Sequence, residues 1–328
     1  MYPAAEGFMS CGVEVELEKD LEPLVDILAK LTLRHTIQNH PVIGNVVRYV
    51  SAKGARSNYY QGDGAIPDDE LERIRKELNI GFWHARFALY GDEEELDLNY
   101  RKIQKAFADL PGAKVDGKKF LPRPGETYVR NEDIPLSEGG GPQVGVPTLT
   151  PLSCLKYRGE DCGHIGFSPV LPPRGKEALE FYYIAKKRSA EYGFDFRAGL
   201  HLYPRHLTHI NMLIFDRHSE KQRVDVHKLF VALVKDARKE GYSEYRAHVK
   251  HQELVAGMYD WPEGKGHGRL LSEKIKDALD PNGIFSEGKM GIWSEKRRKF
   301  KGVIPGEVAN GTNGVNGLNG ANRVNRHA

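Results

Sequence analysis

Apolar and polar residues alternate through Gly12-Val13-Glu14-Val15-Glu16-Leu17, and a period of two predicts a half-buried strand. The period then changes. Leu21, Leu24, Val25, Ile27, Leu28 and Leu31 recur at helical spacing behind Lys19-Asp20, which predicts a helix with a core face. A second helix is predicted from Asn39, a good N-cap ahead of Pro41, with Val42, Ile43, Val46, Val47 and Val50 as its buried stripe. Pro67-Asp68-Asp69-Glu70 has the proline and acids of a helix first turn. Gly81 to Tyr90, with Phe82, Trp83, Phe87, Leu89 and Tyr90, reads as a strand. A charged helix from Glu93 to Leu110 and a short strand from Ala113 to Val115 follow.

From Asp116 to Thr150 no apolar period survives, and Gly139-Gly140-Gly141-Pro142 breaks any element, so a long surface excursion is expected. The pattern then resumes in kind. Ile165–Val170 is a predicted strand, Gly175–Tyr192 a helix, Phe194–Leu202 and His209–Phe215 strands, and Lys221–Glu240 a second long helix. Two helix-and-strand-pair units of this sort predict an α+β fold, an antiparallel sheet with flanking helices in a duplicated ferredoxin-like layer. No repeat is visible residue by residue. Leu270, Leu271, Ile275, Ala278 and Leu279 then mark an amphipathic helix that Asp280-Pro281-Asn282-Gly283 stops abruptly. After the basic run Lys296-Arg297-Arg298-Lys299, residues 305–328 are low in complexity and are expected to be disordered.

Composition narrows the classes. The formal charge of +3 comes without a basic face interleaved with aromatics, which speaks against nucleic acid. No apolar run approaches the ~20 residues of a membrane span. The N-terminus lacks the charged and apolar regions of a secretory signal, so a cytoplasmic chain is expected. Cys11, Cys154 and Cys162 are odd in number and lack zinc-type spacing, as reduced intracellular thiols would.

Candidate chemistry is sparse. Tyr245 and Arg246 together offer a phenol hydroxyl and a guanidinium, an anion clamp if the chain bends there; a structural tyrosine beside a surface arginine is the plainer alternative. His164, in Cys162-Gly163-His164-Ile165-Gly166-Phe167-Ser168-Pro169, has glycines that let backbone or a flat ligand approach, though a histidine there also suits a structural hydrogen bond. His201, His206 and His209 have no acid placed to complete a metal site, and none is expected. Dinucleotide, Walker, nucleophile-elbow and zincin motifs are absent.

Motifs spread along the chain carry a resemblance. Ser243-Glu244-Tyr245-Arg246-Ala247-His248, Met258-Tyr259-Asp260-Trp261, Leu279-Asp280-Pro281-Asn282-Gly283-Ile284, Gly288-Lys289 and Gly291-Ile292-Trp293 resemble the C-terminus of the vanillyl-alcohol oxidase and 4-cresol dehydrogenase type of flavoprotein. Upstream, Thr36-Ile37-Gln38-Asn39, Ala88-Leu89-Tyr90-Gly91, Ala106-Phe107 with Pro111-Gly112, Gly145-Val146-Pro147-Thr148, and His164 with Phe167-Ser168-Pro169 follow the family in order. The resemblance covers roughly Gly12 to Trp293.

It implies that residues 9–242 are the cap that forms the substrate cavity, that 243–293 return to the FAD-binding domain, and that 294–328 are a basic run and tail. The family's N-terminal FAD-binding half-domain would be missing from this chain. By motif, Tyr245 and Arg246 would be catalytic, binding the phenolate oxygen of a para-substituted phenol. His164 would carry a covalent bond to FAD, and Lys289 would face the cofactor. The implied function is FAD-linked oxidation of a phenolic or related aromatic small molecule. The implied partners are a further copy of the chain or a separate FAD-binding half-domain. The alternative is a non-catalytic cap-like module that no longer binds flavin. Three positions depart from the family pattern: Pro151-Leu152-Ser153-Cys154 replaces an acid and an aromatic, Gly166 an aromatic, and Thr208-His209 a pair of histidines.

Overall fold

A computed structural model of the chain describes residues 6–135, 149–260 and 266–300. These divide into two compact units, residues 1–245 and residues 246–328. The glycine-rich run 139–142, the 145–148 motif, Trp261 and the low-complexity tail lie outside the described residues.

In the first unit one strand-and-helix order occurs twice. β1 (Gly7–Val15), α1 (Leu21–Leu33), β2 (Val42–Asn45), β3 (Trp83–Gly91), α4 (Glu93–Phe107) and β4 (Lys114–Phe120) form the first pass, with α2 (Val46–Lys53) and α3 (Asp68–Glu77) inserted after β2. After β5 (Cys162–Phe167) the second pass is β6 (Pro169–Leu171), α5 (Gly175–Glu191), β7 (Gly199–Leu202), β8 (Leu207–His209), α6 (Glu220–Lys239) and β10 (Ser243–Glu244), with β9 (Asn211–Asp216) continuing β8. The eight-stranded sheet runs β10-β6-β8-β7-β2-β3-β1-β4. Each half has the fourth, first, third, second order of a ferredoxin-like unit. The halves join where β2 pairs antiparallel with β7, setting Val42 opposite His201, Ile43 opposite Leu200 and Gly44 opposite Gly199. The duplication expected from the pattern is therefore present in the topology.

Beyond the sheet, β5 and β9 pair with each other, with His164 opposite Ile214 and Gly166 opposite Met212. Since β5 runs into β6 and β8 into β9, the two pairs make one ribbon that leaves the sheet at Ser168 and Ile210. α1 packs beside α4 and α5, and α5 beside α6. Trp83, Phe87, Phe167, Phe181, Tyr182 and Phe230 fill the space between helices and strands.

The helix predicted from Asn39 is corrected. Val42–Asn45 is strand, and the helix starts at Val46 with Asn45 as its cap, the Asn45 side chain accepting from the Arg48 N–H at 3.0 Å. Val42 and Ile43 satisfy either period, and the decision falls to partners on both sides: β3 and β7 supply hydrogen bonds for an extended backbone. Asn45 also shortens the predicted Phe194 strand. It donates to the Phe196 carbonyl at 2.8 Å and accepts from the Ala198 N–H at 3.2 Å, so the ladder begins only at Gly199. β4 runs further than predicted, to Phe120; as an edge strand carrying Lys114, Lys118 and Lys119 it is guarded by charge.

Helices α1 and α5 meet at Gly175. A Cβ there would stand 2.0 Å from the Glu22 carbonyl oxygen, and the Gly175 N–H donates to Asp26 at 2.7 Å. Gly175→Ala should therefore cost about 1–3 kcal/mol by forcing the helices apart. A urea midpoint equal to that of the parent would show that they separate freely.

The second unit contains α7 (Gln252–Ala256), α8 (His267–Leu279) and α9 (Glu295–Phe300). Asp280 ends α8 as expected from the sequence. Its carboxylate accepts from the N–H groups of Ile284 (2.8 Å) and Phe285 (2.9 Å) and pairs with Lys276 (2.6 Å), which pulls its pKa down to about 2. Gly283 takes the left-handed φ of 66° that this turn requires. The polar side of α8 is held by Arg269, paired with Asp260 and Glu253 at 3.1 Å each. The apolar face has the reverse placement: Leu271 is 60% and Leu279 78% exposed, beside exposed Leu270, Ile275, Ile284 and Phe285.

Candidate active site

The ribbon places His164. Its odd positions, Gly163, Ile165 and Phe167, turn toward α6, where Phe167 meets Phe230 edge-on at 6.1 Å. His164 and Gly166 consequently share the opposite face. His164 is exposed there, and nothing among the described residues lies within 4 Å of where a Gly166 Cβ would stand. Across the ribbon this face carries Met212, whose Sδ is 3.9 Å from the Cys154 thiol on the turn Thr150–Lys156. A flat ligand can lie against such a surface. An aromatic side chain at position 166 would occupy the same space.

Tyr245 leaves β10 from a position fixed by backbone bonds. Ser168, four residues beyond His164, donates its N–H to the buried Glu244 carboxylate at 2.9 Å and accepts from the Tyr245 N–H at 3.4 Å. These two bonds hold the chain before Tyr245 against Ser168, the junction of β5 and β6. The Tyr245 side chain is 44% exposed. Glu244 is thus a positioning residue that sequence reasoning passed over. Its burial depends on the β6–β10 pairing, and no local pattern signals that pairing.

Arg246 opens the second unit and is exposed. Lys289 is also in the second unit, exposed on the turn Lys289–Gly291 that follows Gly288 at φ 79°. The first unit therefore holds His164 on β5 and Tyr245 just past β10, linked through Ser168 at the base of the ribbon, while Arg246 and Lys289 belong to the other unit.

The remaining histidines are dispersed. His201 stacks on His40 at 5.3 Å, and His206 stacks on Tyr203 at 4.5 Å. His209 is fully buried between Phe181 and Phe196, its Nδ1 accepting from the Asn211 amide at 2.7 Å. No group of three potential metal ligands occurs among the described residues. The three cysteines are buried and form no disulfide among the described residues, and burial pushes the Cys11 thiol up to about 12. A cavity of about 280 Å³ beneath α3 includes Tyr182, Lys186 and Asp195 in its lining. Its Lys186 is already paired with Glu18 (2.5 Å) and Asp68 (2.7 Å), so that cavity offers no free charge. No helix among the described residues is long and apolar enough to cross a membrane.

No protein-family model matches the chain. It is 29% identical over 293 residues to the 4-cresol dehydrogenase (hydroxylating) flavoprotein subunit of Pseudomonas putida, an alignment covering 89% of this chain and 53% of the relative. Among solved structures it is similar to 4-ethylphenol oxidase from Gulosibacter chungangensis in complex with isoeugenol. That match has a TM-score of 0.81 at 28% identity and covers 90% of this chain and 56% of the other. It is also similar to p-cresol methylhydroxylase with substrate bound, with a TM-score of 0.77 at 29% identity, over 87% of this chain and 53% of the other. The chain spans about half the length of the relatives it matches. Over that half, it is a relative, in sequence and in fold, of the FAD-linked oxidoreductases of the vanillyl-alcohol oxidase and 4-cresol dehydrogenase type.

Proposed function

We propose that this chain is the substrate-binding half of an FAD-linked oxidoreductase that oxidises a phenolic small molecule. The observation that carries the reading is the exposed ribbon face with His164 and the open Gly166, on a ribbon whose base at Ser168 is bonded to the Tyr245 N–H. These residues suit a flavin: an exposed imidazole for covalent attachment and a glycine that leaves room for a flat ring. When bound, FAD would supply the hydride acceptor. The chain's own part is to hold the phenol. The Tyr245 hydroxyl and the Arg246 guanidinium would donate to the phenolate oxygen and favour its ionised form, and that charge assists loss of hydride from the para-carbon. Lys289 would contact the cofactor.

A flavin pocket needs a second wall. The exposed apolar face of α8, with Leu271, Leu279 and Phe285, supports an FAD-binding half such as the remainder of the relatives' length as its occupant. Exposed apolar surface of this kind also suits self-association in the absence of that half.

The test is retention of flavin. Purified chain, alone and combined with a flavin-binding half of a relative, is incubated with FAD and precipitated with acid. A yellow pellet that His164→Ala abolishes supports the reading; a colourless pellet and no FAD binding in either preparation would sink it. In the same preparations Arg246→Ala should weaken 4-ethylphenol about 10- to 100-fold, the range for a charged hydrogen bond, and leave its O-methyl ether unaffected.

A further inference from the structure

Two arginines lie side by side beneath the turn Thr150–Lys156, and neither pairs with a carboxylate among the described residues. Arg197 is only 6% exposed; its Nε donates to the Ser51 hydroxyl at 3.0 Å and makes no ion pair among the described residues. Arg48, on α2, is half-buried and likewise forms no ion pair there. The sheet is hollowed to admit it. Gly44 and Gly199 face each other across β2 and β7, and a Cβ at either would fall 2.3 Å from the Arg48 side chain. Among the described residues the ionisable neighbours acting on Arg48 are Arg197, which repels it, and the Cys154 thiol; burial and that repulsion pull Arg48 down to about 10. Arg197 is lowered too, by burial.

Bringing two guanidiniums together out of water without an anion is costly, and a fold tolerates the arrangement when an anion completes it. The place is informative. Cys154 touches Met212, which stands opposite Gly166 on the face of the ribbon that bears His164. Gly199, against Arg48, is bonded through its N–H to Asn211 at 3.4 Å, the residue before Met212. The cationic pair therefore adjoins the surface on which the flavin and phenol are proposed to sit.

We propose that Arg48 and Arg197 form a carboxylate-binding subsite, so that the phenolic substrate of this chain is a hydroxyaryl carboxylic acid. The proposal rests on the phenol-oxidation reading for the hydroxyl end, and on the two arginines alone for the carboxylate end. A planar carboxylate fits the forks of two guanidiniums, and its single negative charge offsets their repulsion.

Binding to the purified chain tests it by calorimetry, with four probes: 4-hydroxyphenylacetate, phenylacetate, 4-ethylphenol and acetate. The first should bind about 10- to 100-fold more tightly than 4-ethylphenol, the gain expected for a charged hydrogen-bonded pair. Arg197→Met and Arg48→Met should abolish that preference, and Arg197→Lys should keep part of it. Because each methionine variant removes one of two mutually repelling charges, its melting temperature should not fall. That readout separates a lost subsite from a lost fold. Equal affinity for 4-hydroxyphenylacetate and 4-ethylphenol, or no binding of any carboxylate, would overturn the subsite. Acetate as tight as the aromatic acids would overturn the substrate class. Phenylacetate as tight as 4-hydroxyphenylacetate would uphold the subsite and refute the phenolate clamp, so the two readings can fail separately.

Discussion

Asp195→Asn should be among the most damaging single substitutions in the first unit. The Asp195 side chain is 1% exposed, and it accepts from Arg56 at 2.8 Å, Arg158 at 3.2 Å and the Ile66 N–H at 2.8 Å. Each guanidinium also ties down a loop. Arg56 donates to the carbonyls of Gly62 (3.0 Å) and Gly64 (2.7 Å) and lies over the Tyr60 ring; Arg158 donates to the Gly193 carbonyl (3.0 Å) and lies over Phe194. Burial, with the Asp195 charge beside it, holds the Tyr157 phenol well above its usual range. An asparagine keeps the shape and one acceptor but leaves two largely buried guanidiniums facing each other without an anion. Removing one partner of a buried ion pair costs about 3–5 kcal/mol. In a unit of this size that lowers the melting temperature by roughly 10 °C. Arg56→Met should cost less, because Arg158 still answers the carboxylate. A thermal melt of Asp195→Asn within a degree or two of the parent would show that the hub contributes little.

The second large effect is on the pH dependence of folding. Burial brings His209 down from 6.5 to about 4, against the smaller opposing effect of its bond to Asn211. The unfolded chain thus takes up a proton near pH 6.5 that the folded chain refuses until about pH 4. Stability is full above the first value and falls as pH drops toward the second. Over the whole window the loss is about 3 kcal/mol, and about 2 kcal/mol of it is reached by pH 5. His209→Leu keeps an apolar body between Phe181 and Phe196 and has nothing to protonate. Urea unfolding of the two proteins at pH 7 and pH 5 should show a parent that weakens and a variant that weakens about 2 kcal/mol less. Parallel losses in both would place the acid sensitivity elsewhere.

Several elements were legible because their determinants are local. Asp280-Pro281-Asn282-Gly283 carries its own stop: a carboxylate that accepts from the N–H groups of Ile284 and Phe285 and a glycine able to take positive φ. The α4 start is similar, with Asp92 capping Glu95 and Glu95 returning the bond. Other boundaries were not legible. Val42-Ile43-Gly44-Asn45 has a residue pattern suited to helix or strand, and it became strand because β3 and β7 flank it. The α8 stripe was readable as amphipathic, but periodicity says only that a face is apolar, not whether anything covers it.

The same division holds for the candidate site. His164, Tyr245, Arg246 and Lys289 could be named because they sit in short motifs whose order along the chain is itself the signal. Their setting could not be named. That Ser168 and Glu244 brace the chain before Tyr245, and that Arg48 and Arg197 meet over Gly44 and Gly199, depends on pairings across more than 70 and 140 residues respectively. The sequence by itself determined the duplicated α+β order, the helix stops and the family likeness, since local propensity and short motifs suffice for these. Tertiary structure alone decided which charges lost their water and which counter-charges they lacked, because desolvation depends on neighbours brought from distant parts of the chain.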